Sequence, residues 1–438
     1  MVAVKRVVGC RVADPDVEGL VDILIEAGRI REILPASGSP AGAGDLDACG
    51  MVAVPGLTNA HTHTPLSLMK GAAEDVSVDD WFNKRVWPME MNLTPERVKI
   101  GARLACAEML LGGVTGFADH YFFADQIAAA AQELGIRANI APTFFSEAGG
   151  ASRERAFDQT RAIVEMDSRL VTASVGPHAP YTVGDDDLRL ASDLARSLGV
   201  RIHIHAAENM QQTESSLERL GCTPMTVLER TGILDAGVLI AHGGGIVASD
   251  REVLEPAAER VSVACCPKVY FKHDIDPITP VRLLHEWGIS VGAGTDGAAG
   301  GNTLDVWEAM RWTALAQKRQ EHDPLFLPVS DAFALGTRGG ATAASHSNAG
   351  VLRAGAVADI VLVDVSGPHC QPIHDLTATL VYSVRASDVH SVIVDGELVV
   401  RARQLCNAEL AEIVEEARAT APELVKIRPG EAVQHYAP

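Results

Sequence analysis

The sequence lacks a basic segment, a long apolar run and a regular cysteine pattern. The 37 Lys and Arg residues are outnumbered by 57 Asp and Glu, so the 438-residue chain has a formal net charge of −20. A polyanionic partner such as nucleic acid is therefore not expected. No apolar stretch approaches the roughly 18 residues of a membrane span, and Lys5 and Arg6 interrupt the first one, so neither a membrane partner nor a signal peptide is expected.

Two catalytic signatures and a disulfide pattern are also missing. There is no Gly-x-x-x-x-Gly-Lys phosphate loop and no Gly-x-Ser-x-Gly nucleophile elbow, so P-loop and serine esterase chemistry lose support. The eight cysteines have no regular spacing, which argues against a disulfide framework and favours the cytoplasm. The chain is 47% hydrophobic and only 21% charged, which predicts a folded protein with a sizeable core.

Both ends of the chain have β patterns, whereas the middle alternates strands and helices. Residues 21–25 and 30–34 predict one hairpin, and residues 391–400 predict another around Asp395-Gly396. We expect these ends to form one small discontinuous β-sandwich domain, from residues 1–54 and 350–438, with a C-terminal helix.

In the middle of the chain, short apolar or β-branched runs alternate with helical stretches. The helix after the first run has Thr94 as its N-cap, Pro95 in its first turn and Gly112 at its end. This alternation predicts an α/β fold, a (β/α)8 TIM-type barrel over residues 55–349. The eight predicted strands are residues 51–54, 114–118, 138–142, 171–175, 200–204, 238–241, 261–264 and 290–293.

Active sites of such barrels lie at the C-terminal ends of the strands, and metal-binding side chains recur there. Because alternate residues of extended chain face one side, His61 and His63 can reach one ion. His205 ends the fifth run and Asp296 follows the eighth, whereas His203 is interpreted as an inner, hydrogen-bonded residue. Three histidines and an aspartate leave room for water, as a catalytic metal site requires.

Other titratable residues follow the same strand ends. Glu208 can reach the metal site or the substrate, although a solvated carboxylate is its alternative interpretation. His242 would orient water or stabilise developing charge, and His178 would contact substrate. Cys265 and Cys266 are adjacent and cannot comfortably supply two ligands to one tetrahedral ion, so we interpret them as strand-end packing.

Five segments carry these residues: PGLTNAHTH at 55–63, VGPHAPYT at 175–182, IHIHAAE at 202–208, IAHGG at 240–244 and GTDGAAGGN at 294–302. Their order resembles that of the amidohydrolase superfamily, and the resemblance covers nearly the whole chain. The sequence is most similar to the aminohydrolases that deaminate S-adenosylhomocysteine, methylthioadenosine and related purines. Triazine chlorohydrolases, guanine deaminases and pterin deaminases are neighbouring relatives.

The resemblance implies a set of metal ligands and a set of catalytic roles. Strand four ends without the lysine that bridges two metals in binuclear relatives, so a mononuclear site is expected. Glu208 matches the proton-shuttling glutamate, His242 the histidine beside the hydrolytic water, and His178 a substrate contact. The implied ion is zinc, or iron in some relatives, and its ligands are His61, His63, His205 and Asp296.

The substrate-binding segments match the family less uniformly. Trp81 and Glu90 lie in a segment that resembles the one placing a carboxylate on the ribose hydroxyls in adenosine-type deaminases. After strand seven, residues 265–273 read CCPKVYFKH, where those enzymes have an HNPxSNxKL-like stretch. Because of this departure, the sequence does not identify the substrate, although the expected metal chemistry is unaffected.

The sequence therefore predicts a metal-dependent aminohydrolase that deaminates an amino-substituted nitrogen heterocycle and releases ammonia. The resemblance favours an adenosine-type purine as the substrate. In this reaction Glu208 protonates a ring nitrogen, Asp296 takes the proton of water, and His242 stabilises the charge that forms. The alternatives are a deaminase of guanine, pterin or another free base, a triazine chlorohydrolase or cyclic amide hydrolase, and a non-catalytic scaffold. The expected partners are a small heterocyclic substrate and further copies of the chain in a homo-oligomer.

Overall fold

The computed structural model describes residues 2–13, 17, 19–146, 152–428 and 430–437. Its strands form a mixed sheet from both ends of the chain and a parallel set from the middle. In chain order they are β1 Val2–Ala3, β2 Arg6–Val12, β3 Val21–Glu26, β4 Arg29–Pro35, β5 Asp45–Asp47, β6 Val52–Pro55, β7 Leu57–Thr62, β8 Val114–Tyr121, β9 Arg137–Phe144, β10 Val171–Ala173, β11 Gly176–Pro177, β12 Ile202–Ala206, β13 Val238–His242, β14 Val261–Cys265, β15 Ser290–Ala293, β16 Ile360–Val363, β17 Val389–Val394, β18 Glu397–Arg401 and β19 Gln404–Leu405.

The parallel strands form the predicted TIM-type barrel. Strands β7, β8 and β9 pair in sequence, β9 also pairs with β10 and β11, which together make the fourth strand, and β12 to β15 pair in sequence. A bridge between Val175 and Ile202 joins the two groups on one side. On the other side, the carbonyl of His61 accepts the backbone N–H groups of Thr295 and Asp296. Eight strand positions therefore surround one axis, as the fold requires.

The predicted first strand of this barrel was wrong. Strand β6 pairs antiparallel with β16 and parallel with β2, so residues 52–55 belong to the mixed sheet. The barrel begins with β7 instead, which contains Asn59 and His61. Because these polar residues interrupt the apolar pattern, a search for apolar runs passes over the strand. The other seven predicted runs each overlap a barrel strand.

The mixed sheet contains strands from both ends of the chain. Its order is β1-β18-β17-β16-β6-β2-β3-β4, with β19 beside β18 and β5 beside β2. Both predicted hairpins are confirmed, because β3 pairs antiparallel with β4 and β17 with β18. The Arg137 guanidinium on barrel strand β9 donates two hydrogen bonds of 3.1 and 3.2 Å to Asp359, which precedes β16. This buried pair connects the sheet to the barrel.

Helices follow most barrel strands. The α-helices are α1 Val78–Asp80, α2 Trp87–Glu90, α3 Pro95–Leu111, α4 Ala124–Leu134, α5 Arg153–Val164, α6 Asp185–Leu198, α7 Met210–Leu220, α8 Pro224–Arg230, α9 Ile233–Ala236, α10 Arg251–Leu254, α11 Pro267–Lys272, α12 Val281–Glu286, α13 Ala298–Gly301, α14 Val306–Gln320, α15 Val329–Ala334, α16 Gly340–Ala343, α17 Leu376–Tyr382 and α18 Leu410–Leu424. Short 3-10 or π-helical segments cover Thr64–Met69, Trp81–Val86, Ala248–Asp250, Glu255–Arg260, Leu335–Gly339, Pro368–Cys370 and Ala386–Asp388.

Helix α3 has the predicted ends. The Thr94 hydroxyl accepts the N–H of Arg97 at 3.3 Å, Pro95 is the first helical residue, and the helix ends at Gly112. The C-terminal helix α18 packs against α3, and Arg103 of α3 pairs with a glutamate of α18. Within the part of the chain that the structure describes, no helix is both long and apolar enough to cross a membrane.

Candidate active site

Four side chains from three strand ends converge at the C-terminal mouth of the barrel. His61 lies in β7 and His63 just after it, His205 lies in β12, and Asp296 follows β15. The Oδ1 atom of Asp296 is 3.5 Å from Nε2 of His61 and 3.2 Å from Nε2 of His63. The Nε2 atoms of His63 and His205 are 3.3 Å apart. The barrel thus gathers three imidazoles and one carboxylate around one point.

These separations fit a single metal ion. Zinc bonds to histidine nitrogen and carboxylate oxygen of about 2.0–2.2 Å place the ligand atoms of a tetrahedral site about 3.3 Å apart. The three measured separations, 3.2, 3.3 and 3.5 Å, match that value. The buried Nε2 atom of His61 has no hydrogen-bond partner among the residues described, which costs free energy unless a ligand satisfies it.

Hydrogen bonds to the outer ring nitrogens orient the three histidines. The Nδ1 atom of His63 donates to the carbonyl of His120 at 2.6 Å, and that of His205 donates to the carbonyl of His178 at 3.1 Å. Because a carbonyl only accepts, each Nδ1 carries the hydrogen, and in the neutral ring Nε2 keeps its lone pair for a metal. The Nδ1 atom of His61 lies 2.8 Å from Nε2 of His203, the inner hydrogen-bonded residue that the sequence predicts.

The electrostatic environment favours the protonation states that metal ligands need. Burial lowers the pKa of His61 to about 3 and that of His205 well below its usual value, so both rings are neutral. Burial alone would raise the pKa of Asp296, but the adjacent His61 and His63 rings hold it well below its usual range. The site therefore presents an ionised carboxylate beside the neutral imidazoles of His61 and His205. Burial would also lower the pKa of His63, but the neighbouring Asp296 carboxylate raises it above its usual value.

Glu208 and His242 lie at the same mouth. The buried Glu208 accepts a hydrogen bond from the Tyr181 hydroxyl at 3.3 Å, and burial raises the pKa of its carboxyl. The His242 ring stacks on that of His205, with centroids 5.6 Å apart, and lies 5.3 Å from the ring of His61. A carboxylic acid that keeps its proton to higher pH and a further imidazole thus adjoin the cluster of three histidines and Asp296.

The backbone is in an unusual conformation at two of these positions. His242 has φ 75° and Asp296 has φ 58°, in the left-handed region that non-glycine residues rarely adopt. The Thr279 hydroxyl donates to the carbonyl of His242 at 2.6 Å, and the side chain of Asp296 accepts the N–H of Gly297 at 2.7 Å. Such backbone conformations persist only where the surroundings hold them, and they cluster at functional sites.

A cleft opens from this cluster towards solvent and contains about 780 Å³ of space including its mouth. Apart from the metal-site side chains, its wall is mainly apolar and aromatic. All 37 Lys and Arg residues are among those described, and none lines the cleft. The apolar and aromatic wall residues are Leu66, Val78, Trp81, Phe82, Val86, Trp87, Tyr121, Phe122, Phe145, Val269, Tyr270 and Ile275.

The three predicted substrate contacts all line this cleft. Glu90 is buried and accepts a hydrogen bond from the Tyr121 hydroxyl at 2.6 Å, and burial raises the pKa of Glu90 to about 7. The buried indole Nε1 of Trp81 has no hydrogen-bond partner within the described chain. His178 Nδ1 lies 2.8 Å from the Thr182 hydroxyl, and burial lowers the pKa of this ring to about 3.

The structure thus brings together all nine residues singled out in the sequence. Eight line the cleft, and the ninth, His61, has its ring 4.7 Å from that of His63. Cys265 and Cys266 are fully buried and line no part of the cleft, and the N–H of Cys266 donates to the Tyr270 hydroxyl at 3.0 Å.

Sequence reasoning missed several wall residues and two positioning contacts. Tyr270 and His273 come from the segment after strand seven, whose departure from the family pattern was the available signal. Tyr121 and Tyr181 bond the carboxyls of Glu90 and Glu208, but no local sequence pattern marks these two tyrosines. Tyr436, close to the C-terminus, also reaches this region, where its ring stacks on Phe82 with centroids 4.9 Å apart.

Comparison with known proteins gives consistent results. Residues 52–399 match the sequence model of the amidohydrolase family. The chain is 38% identical to a 5-methylthioadenosine/S-adenosylhomocysteine deaminase of Pelotomaculum thermopropionicum, over 92% of this chain and 94% of that one. It is 35% identical to a 5′-deoxyadenosine deaminase of Methanospirillum hungatei JF-1, over 87% of this chain and 84% of that one.

A solved structure resembles the whole chain. It is an adenosine deaminase from Xanthomonas campestris with bound zinc, 30% identical in sequence, with a TM-score of 0.89. The similarity covers 97% of this chain and 98% of that one. A zinc-bound neighbour and the donor set described above together support a divalent metal ion as the cofactor.

Proposed function

The chain belongs to the amidohydrolase family, and on that premise we propose that it hydrolytically deaminates an adenosine-type nucleoside and releases ammonia. The observation that carries this proposal is the grouping of three histidines and Asp296 at metal-ligand separations, with Glu208 buried beside them. Water adds at the ring carbon that bears the amine, so a carbon–oxygen bond forms, the carbon–nitrogen bond breaks, and the product is a lactam.

We propose that one zinc ion is held by His61, His63, His205 and Asp296. When bound, such an ion supplies Lewis acidity, which makes hydroxide available from water near neutral pH. The hydrogen bonds from His63 and His205 to backbone carbonyls keep their Nε2 atoms directed at the centre. No lysine follows β11, where Pro177 is succeeded by His178, and this supports a single ion.

The chain's own residues then move the protons. Glu208 donates a proton to a ring nitrogen, and the bond from Tyr181 holds its carboxyl in place. Asp296 accepts the proton of the attacking water and passes it to the leaving amine, which departs as ammonia. His242 stabilises the charge that develops on the oxygen. Positioned proton transfer of this kind contributes about 10²- to 10⁴-fold to a rate.

The wall of the cleft supports a nucleoside with an apolar 5′ group. Glu90 uses one carboxyl oxygen to accept from Tyr121, which leaves the other free for ribose hydroxyls. Trp81 and His178 offer further ring contacts on the same wall. Because no Lys or Arg among the described residues lines the cleft, a charged 5′ substituent finds no cationic partner there. We therefore propose a methylthio or methyl group at the 5′ position in preference to an amino acid.

Ammonia release from a panel of compounds tests the proposal. Zinc-loaded protein is incubated with 5′-deoxyadenosine, 5′-methylthioadenosine, S-adenosylhomocysteine, adenine and guanine, and the products are identified by mass spectrometry. We expect lactam products, with kcat/KM for the first two at least about tenfold above that for S-adenosylhomocysteine, because a buried charge without a partner costs 1–3 kcal/mol or more. Deamination of guanine alone, or of no compound, contradicts the proposal.

We also propose that the protein is a cytoplasmic homo-oligomer. All eight cysteines carry free thiols in the structure, which supports a reducing compartment. Phe271, Trp312 and Leu315 are 52, 42 and 47% exposed, and this apolar surface supports contact with a second copy. Light scattering on the purified protein checks the assembly, and a monomer at micromolar concentration contradicts it.

A further inference from the structure

The end of the chain returns to the cleft after helix α18. The Asn92 side chain donates to the carbonyls of Leu424 at 3.0 Å and Lys426 at 2.5 Å, which holds the point where the helix stops. Further on, Val433 and Tyr436 are only 4 and 2% exposed. Because residues 431–437 lie outside any helix or strand, the burial of these two side chains indicates a specific docking contact.

On one side of the cleft, Tyr436 docks on the π-helical turn Trp81–Val86. The Asn83 side chain makes two hydrogen bonds with the backbone of Tyr436, accepting its N–H at 2.6 Å and donating to its carbonyl at 3.2 Å. The Tyr436 ring stacks on Phe82 at an interplanar angle of 13°. Phe82 lines the cleft, so the terminal segment supports this wall from behind its lining residue.

On the other side, the same tyrosine touches both neighbours of Glu208. Its ring meets the ring of Tyr181 edge to face, with centroids 5.6 Å apart, and Tyr181 donates to Glu208. Its hydroxyl accepts a hydrogen bond of 3.3 Å from the side chain of Asn209. Asn209 caps helix α7 by accepting the N–H of Gln212, whose side chain in turn accepts the N–H of Glu208.

We propose that Tyr436 is a positioning residue for Glu208, a role that rests on the proposed function. It clamps the Trp81–Val86 turn to Tyr181 and Asn209, and thereby holds the Glu208 carboxyl in the orientation that proton transfer needs. The carboxyl accepts a hydrogen bond from the Tyr181 hydroxyl, and Tyr436 contacts the ring that carries this hydroxyl. Catalytic groups must be held to within about 0.5 Å, and an error of about 1 Å can cost about 10²-fold in rate.

Two substitutions distinguish the role of the Tyr436 ring from that of its hydroxyl. Tyr436→Ala removes both the stack on Phe82 and the contact with Tyr181, and we expect kcat per bound metal to fall about 10- to 100-fold with a smaller change in KM. Tyr436→Phe keeps both ring contacts and loses only the bond from Asn209, so kcat should stay within about fivefold of wild type. His435→Ala is the matched control, because that side chain is exposed on the same segment and should leave kcat unchanged.

A double-mutant cycle shows whether Tyr436 acts through Glu208. In a Glu208→Gln background there is no carboxylic acid to orient, so adding Tyr436→Ala should lower the residual kcat by less than about threefold. Full additivity of the two losses overturns the proposal. A drop in kcat that disappears when activity is divided by bound metal also overturns it, because Tyr436 would then support only folding.

Hydrogen–deuterium exchange provides a readout that does not depend on turnover. Tyr436→Ala should accelerate exchange together in residues 81–86 and 209–213, whereas Tyr436→Phe and His435→Ala should not. If exchange rises only in residues 430–437, the clamp does not exist. If the wild type deaminates none of the nucleosides, the proposed function fails, but joint acceleration of the two segments still establishes the clamp.

Discussion

Replacing Glu208 by Gln tests proton transfer most directly. The amide keeps the size of the side chain and can still accept the 3.3 Å hydrogen bond from Tyr181, but it cannot donate an acidic proton. Glu208 is not among the groups that lie at metal-ligand separations, so the variant should bind a full equivalent of metal. We expect kcat on 5′-methylthioadenosine to fall by about 10²- to 10⁴-fold, the usual contribution of a positioned acid–base group.

The assay combines ammonia release with metal analysis of the same preparation. Glu214→Gln is the matched control, because it makes the same chemical change on helix α7 at an exposed position and should retain wild-type kcat. Near-normal turnover of the Glu208 variant would refute the assignment and place the proton donor elsewhere. Loss of metal from that variant would instead move Glu208 into the ligand set.

Three further predictions concern the ligands and Glu90. His61→Ala should lose tightly bound metal and activity together in a metal analysis, and a full equivalent of metal would remove His61 from the ligands. Glu90→Ala should lower kcat/KM for nucleosides about tenfold to hundredfold and spare adenine, since a charged acceptor bonded to hydroxyls contributes about 1.5–3 kcal/mol; equal losses on both would contradict a ribose contact. Because burial raises the pKa of Glu90 from 4.5 to about 7, folded protein binds the proton more tightly, and stability should fall as pH rises through that interval. In denaturant unfolding, the free energy of unfolding of Glu90→Gln relative to that of wild type should rise by up to about 3 kcal/mol between those pH values. Parallel pH profiles of the two proteins would contradict this prediction.

Much of the barrel follows from patterns a few residues long. Seven of the eight predicted strands overlap observed ones, because each is a short run of apolar or β-branched residues followed by a turn. The apolar pattern does not predict the first barrel strand, because β7 carries Asn59 and His61 in its interior. The more apolar run is β6, which belongs to the mixed sheet. Polar residues near the end of a strand thus interrupt the apolar pattern by which the strand would be predicted.

The sequence by itself determined the order of the strands and the residues at their ends. Because parallel strands of a barrel all end at one mouth, the sequence alone groups His63, His205 and Asp296. Only the tertiary structure decided the contacts that hold the carboxyls, Tyr121 on Glu90 and Tyr181 on Glu208, and the docking of Tyr436 between the two sides. The physical reason is the distance along the chain. Strand and turn signals depend on neighbouring residues, whereas these contacts join side chains 27 to 354 positions apart and exist only after the barrel has closed and its register is set.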